Sequence, residues 1–151
     1  MTAPKFPYYS MGSYRAGGDV EDFVSTAFQE TMNRGHVDSV DEYFADTLEY
    51  HSSSGTLAGQ RELEDDIEMF QTAFPDLEGE ITRMMSQGEK VSFIYKLRGT
   101  HEGEFEGIPP TGQEMDAKGA AIATVTDGKI SEYRIVFDNL GMLEQLGVLG
   151  D

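Results

Sequence analysis

The sequence predicts an α+β domain with helices packed on one face of a mostly antiparallel sheet. Three observations carry that expectation. Apolar residues recur at helical spacing through the first half of the chain. After Pro75 the apolar period changes from about 3.6 residues to about 2. Asp127-Gly128 then separates two alternating runs, and this residue pair is the strongest short signal for a two-residue hairpin. The chain has 151 residues, enough for one domain, and 38% of them are apolar, enough for one core.

Residues 1–17 read as an irregular N-terminal arm carrying Phe6, Tyr8, Tyr9 and Tyr14, and residues 18–151 as one domain with no linker or repeat. Asp19 is the expected N-cap of a first helix whose buried stripe is Val20, Phe23, Val24, Ala27, Phe28 and Met32, with Gly35 as its stop. Asp38 caps a short second helix with Val40, Tyr43 and Phe44 on its apolar side. Residues 47–53 read as a short strand, followed by a Ser/Gly stretch to Gly59. A third helix runs from Gln60 to Phe74 with Leu63, Ile67, Phe70 and Phe74 inward, and Pro75 ends it. The acidic run Glu62, Glu64, Asp65, Asp66 and Glu68 reads as its solvated face.

Strands are expected at 77–86, 91–101, 114–126 and 129–138. In the second of these, Val91, Phe93, Tyr95 and Leu97 alternate with Ser92, Lys96 and Arg98. A turn at Gln87-Gly88-Glu89 and a Gly/Pro loop at 102–112 separate them, and a helix at 139–146 carries Leu140, Leu143 and Leu146. Hairpin-linked strands with helices on one face imply a curved sheet that wraps a pocket.

Charge narrows the function. The 28 acidic and 11 basic residues give a formal net charge of −17, which argues against nucleic acid and against an anionic membrane surface. No apolar stretch approaches the roughly 18 residues of a spanning helix. The first residues lack the apolar core of a secretory signal, so a cytoplasmic location is expected. The acids are spread along the chain and only 5 of the basic residues are lysine, the pattern of a protein adapted to concentrated salt. There, the Debye length falls to roughly 3 Å at 1 M and self-repulsion is screened.

Absent cysteine removes disulfides, thiolate nucleophiles and cysteine metal sites. Three histidines remain. His36 follows Gly35 at a helix end and reads as a surface position; His51 lies in the first strand; His101 shares parity with Val91 through Leu97 and should look inward. Without HxH or HExxH spacing no metal site is expected. GxGxxG, GxxxxGK[ST] and GxSxG are also missing, so neither a nucleotide cofactor nor a hydrolase triad is expected. Asp138 ends the apolar run Ile135-Val136-Phe137. It is either the N-cap of the last helix or a carboxylate at the mouth of an apolar pocket, where burial would raise its pKa.

Several segments occur together in order: Ala73-Phe74-Pro75-Asp76-Leu77, Gly99-Thr100-His101-Glu102-Gly103-Glu104-Phe105, Gly107-Ile108-Pro109-Pro110-Thr111-Gly112, Asp127-Gly128-Lys129-Ile130-Ser131-Glu132 and Phe137-Asp138-Asn139-Leu140-Gly141-Met142-Leu143-Glu144-Gln145-Leu146-Gly147. Over about residues 20–147 the chain resembles the SnoaL-like polyketide cyclases (ester cyclase group) of the NTF2-like superfamily. The resemblance implies an NTF2-like conical barrel, a curved sheet with helices on its concave face around an apolar pocket. It also implies a homodimer or higher homo-oligomer built through the sheet. The implied reaction is an intramolecular aldol condensation of a small apolar, polyketide-like carbonyl compound, with no metal and no organic cofactor. Asp138 matches the family's acid/base carboxylate, and His101 and His51 match positions that line its pocket. Asp138 is then the expected base, His101 the donor to the enolate oxygen and His51 a second polar contact. Tyr50, Tyr95, Phe105 and Arg134 are the expected substrate contacts. The chain departs from the pattern at Ser52-Ser53, at Ala123-Thr124-Val125 and at Arg134, where relatives often carry Asp-Pro, an arginine and a tryptophan. The alternative function is a non-catalytic, dimeric small-molecule-binding module.

Overall fold

The structure, a computed structural model, describes residues 15–33, 39–52 and 57–149. The expected arm up to Tyr14, the stop at Gly35, His36 and the cap at Asp38 lie outside the described residues. Helix α1 spans Arg15–Asn33. It starts four residues before Asp19, inside the expected arm, because Gly17 and Gly18 cost a helix only about 1 kcal/mol each and nothing there blocks the ladder. Its inner face buries Val24, Ala27 and Phe28.

Helix α2 is only Val40–Tyr43. Phe44 was expected to extend its apolar side but opens strand β1 (Phe44–His51) with extended dihedrals of −112° and 143°. The reason is tertiary: its buried ring packs edge-on against Tyr133 at 5.1 Å. Strand β2 (Leu57–Ala58) returns along β1, pairing Tyr50 with Ala58. Helix α3 covers Gln60–Ala73, and the Gly59 N–H donates to Glu62 Oε1 at 2.9 Å at its start.

Strands β3 (Glu78–Gln87), β4 (Lys90–Thr100), β5 (Glu114–Thr126) and β6 (Lys129–Phe137) follow, and helix α4 (Asn139–Leu146) closes the fold. The sheet order is β2-β1-β6-β5-β4-β3. All neighbours are antiparallel except β1 and β6, which run parallel. At the β5–β6 turn Asp127 and Gly128 both take positive φ, 51° and 79°, as a primed two-residue hairpin requires. Register shifts between Ile81 and Arg83 and between Thr124 and Val125 mark bulges, which bend a sheet. The helices lie on the concave side, and the alternating residues Phe93, Tyr95 and Leu97 of β4 and Tyr133 and Phe137 of β6 face them as core. A mostly antiparallel sheet with helices packed on it is the α+β architecture the sequence predicts. No helix among the described residues is long and apolar enough to cross a membrane.

Candidate active site

Between the sheet and helices α1 and α3 lies a cavity of about 330 Å³, the size of a small-molecule site. Strand alternation supplies one wall: Phe44 and Tyr50 from β1, Tyr95 and Leu97 from β4, and Tyr133, Ile135 and Phe137 from β6. The stripe Leu63, Ile67 and Phe70 of α3 supplies another, and Phe105 from the loop after β4 closes an end. Tyr95 stacks on Phe137 at 6.3 Å with the rings 10° apart. Its position depends on Gly119, the residue opposite it on β5. A Cβ at 119 would sit 2.5 Å from the Tyr95 hydroxyl oxygen and 2.7 Å from the Val136 carbonyl oxygen.

The polar groups in this apolar shell are few. Tyr50, 4% exposed, donates its hydroxyl to Asp66 Oδ2 at 2.6 Å. Its ring stacks on Tyr133 at 6.3 Å. Burial pushes the phenols of Tyr50, Tyr95 and Tyr133 well above the ordinary tyrosine range, and for Tyr50 the hydrogen bond to Asp66 adds to it. All three therefore stay neutral hydrogen-bond donors across the working pH range. Ser52, Glu106 and Asn139 add polar groups to the lining.

Of the residues singled out from the sequence, Tyr50, Tyr95 and Phe105 line this cavity. Asp138, His101, His51 and Arg134 do not, and the structure does not bring the first three together. Asp138 is exposed and accepts the Gly141 N–H on Oδ1 at 2.9 Å, the N-cap of α4. Strand alternation explains it: Phe137 holds the inward position, so the next residue turns out. His101 faces the interior as its parity predicts and is fully buried. There, however, it meets Phe74 at 5.5 Å, and Phe74 packs on the cavity-wall ring of Phe105. His101 Nδ1 lies 3.0 Å from Thr111 Oγ1 and 3.2 Å from the Thr111 backbone N, and Nε2 has no partner among the described residues. His101 thus ties the 101–113 loop to the core.

His51 and Arg134 belong to the outer face, opposite to Tyr50 and Tyr133 in each strand. His51 Nε2 lies 3.7 Å from Glu49 Oε1, and Arg134 Nε donates to Glu132 Oε2 at 2.7 Å. Glu49, His51 and Glu132 are the one group among the described residues whose ligand atoms converge, within 4.8 Å. Glu132 of this group is already engaged by Arg134, which holds its carboxyl below the usual range.

Sequence reasoning missed Asp66 and Tyr133. Asp66 was assigned to a solvated acidic face, yet it is partly buried and lines the cavity. The signal was present: position 66 is three after Leu63 and four before Phe70, on the inward stripe. Tyr133 shares parity with Ile135 and Phe137.

Comparison with known proteins agrees with this architecture. The model of the SnoaL-like polyketide cyclase family matches residues 22–146. The nogalonic acid methyl ester cyclase of Streptomyces nogalater is 30% identical over 123 residues, covering 77% of this chain and 89% of the relative. The crystal structure of IdmH from Streptomyces antibioticus superposes with a TM-score of 0.76 at 28% identity, over 85% of this chain and 99% of that one. A SnoaL-like protein of Jannaschia sp. CCS1 superposes with a TM-score of 0.78 over 100% of this chain and 99% of its own; at 20% identity that likeness concerns the fold. By the match over most of its length and by the identity to a cyclase, the chain belongs to the SnoaL-like polyketide cyclase family.

Proposed function

We propose that this protein is an enzyme of the cyclase/isomerase type that closes a ring in a small, largely apolar, polyketide-like carbonyl compound. The observation that carries the reading is the aromatic-lined cavity, whose polar lining includes three neutral phenols and the Asp66 carboxylate that Tyr50 holds by a hydrogen bond. Ring closure by aldol chemistry needs a base to take a proton next to a carbonyl, a dry site and donors for the oxygen that gains charge. Tyrosine hydroxyls and a carboxylate supply these from the chain itself, without a cofactor. The relative's activity as an ester cyclase supports the same reaction class.

The family resemblance assigns the acid/base role to Asp138, flanked by the lining residues Phe137 and Asn139, with His101 and His51 in support. The capping geometry of Asp138 makes that assignment the part to test first. A homodimer through the outer sheet face belongs to the same reading, supported by the exposed Ile94, Ile122 and Val136 there. Light scattering reads it directly.

The test of function is a panel of open-chain aromatic polyketide methyl esters incubated with the purified protein. The expected product has unchanged mass and a new retention time, because ring closure by aldol addition gains and loses no atoms. Ligands that bind and are recovered unchanged after long incubation would make the protein a binding module instead.

A further inference from the structure

Asp66 reaches the cavity from α3 and Tyr50 from β1, so the two meet across it. A carboxylate on the apolar stripe of a helix is costly, since burial of a charge is compensated only by a partner. The stripe needs no carboxylate for packing: Leu63, Ile67 and Phe70 already fill it. The cost is offset here in a particular way. Oδ2 takes the Tyr50 hydroxyl at 2.6 Å, which fixes the carboxylate's rotation. Oδ1 has no protein hydrogen-bond partner among the described residues, and the side chain borders the cavity. One oxygen held and one available is the arrangement of an oriented general base. Asp138 is placed the other way round: its Oδ1 is spent on a backbone N–H, and the residue is exposed to water.

We infer that Asp66 is the acid–base group of this cavity and that Tyr50 is its positioning residue. The inference rests on the cyclase reading above and names the group that carries its proton. Asp66 Oδ1 takes the proton from the carbon beside a substrate carbonyl; that C–H bond breaks and its electron pair moves into the enolate. The enolate carbon attacks a second carbonyl of the same molecule. A C–C bond forms, and the pair of the second C=O becomes an alkoxide. The alkoxide takes the proton back from Asp66, which returns the carboxylate. Atoms and electrons balance with no co-reactant. Tyr133, stacked beside Tyr50, and Tyr95 line the same cavity as neutral phenols able to donate to the developing oxygen.

The test uses a probe that does not require the natural substrate: deuterium uptake from D2O at the carbon beside the carbonyl of 1-tetralone, followed by proton NMR with the full chain. Ligand line broadening reports binding separately. The wild type is expected to accelerate uptake. Asp66→Asn should lose at least about 100-fold of that acceleration with binding retained, the usual size of a general-base effect. Tyr50→Phe keeps the ring and should lose about tenfold in rate with the ketone's affinity unchanged, since it removes only the charge-assisted hydrogen bond. Glu68→Gln, an exposed acid on the same helix, should leave uptake unchanged. Wild-type uptake in Asp66→Asn, with loss in Asp138→Asn, would overturn the assignment and leave the cyclase reading standing. Ketone that binds to the wild type without any acceleration would overturn both.

Discussion

Replacing Asp138 separates the two roles that its position offers. In the structure its carboxylate does one visible job, accepting the Gly141 N–H at 2.9 Å to cap α4. Asp138→Ala removes that acceptor and leaves the N–H to water, which costs about 1 kcal/mol for an exposed cap. The helix carries the buried anchors Met142 and Leu146, so the loss is felt globally rather than as local fraying. For a chain of this size about 1 kcal/mol lowers the melting temperature by about 2–4 °C. Asp138→Asn keeps a side-chain oxygen that can still cap, and its stability should stay within a few tenths of a kcal/mol of the wild type. The assay is urea unfolding of the three proteins side by side, paired with ketone exchange or ring closure. The cap reasoning expects Ala destabilised, Asn not, and turnover falling no further than stability explains. An Asn variant that is as stable as wild type yet inactive would refute it, because only the lost charge could account for that result.

Further expectations rest on single contacts. Gly119→Ala places a methyl against the Tyr95 hydroxyl and the Val136 carbonyl; overpacking of this kind costs about 1–3 kcal/mol. It should also weaken ketone binding, and a variant as stable as wild type with unchanged binding would show that Tyr95 does not depend on this gap. Asp76 accepts the Thr100 N–H at 2.7 Å, which holds its carboxyl below its ordinary value of 3.8. A depressed folded-state value stabilises above the unfolded value and is lost as pH falls through the folded one. Asp76→Asn should therefore flatten the acid limb of the stability curve below about pH 4 and leave its shape at pH 7 unchanged, as unfolding at a series of pH values would report. With a net charge of −17, the melting temperature should rise from low salt to molar KCl, and a flat curve would remove the case for salt adaptation.

Much of the architecture was legible because it is local. The stripe of α3, the alternation of β4 and the Asp127-Gly128 hairpin each state which face is buried or where the chain turns, and each needs only neighbours in sequence. Phe44 marks the limit: beside Tyr43 it completes a helical pattern, and only Tyr133, far along the chain, draws it into β1. The parallel pairing of β1 with β6 is equally beyond local reading.

The site divides along the same line. That Asp138 could cap or catalyse was written in the chain, as was the inward parity of Tyr95 and His101. What filled the space in front of each was not. Phe74 stands before His101, while Tyr50 meets at the cavity wall the carboxylate of Asp66, a residue that an acidic run had disguised as solvent-facing. Periodicity assigns a side chain to a face, because helix and strand geometry repeat locally. Whether that face meets a ring, a partner or an empty volume depends on how distant elements pack, and only the tertiary structure decided that.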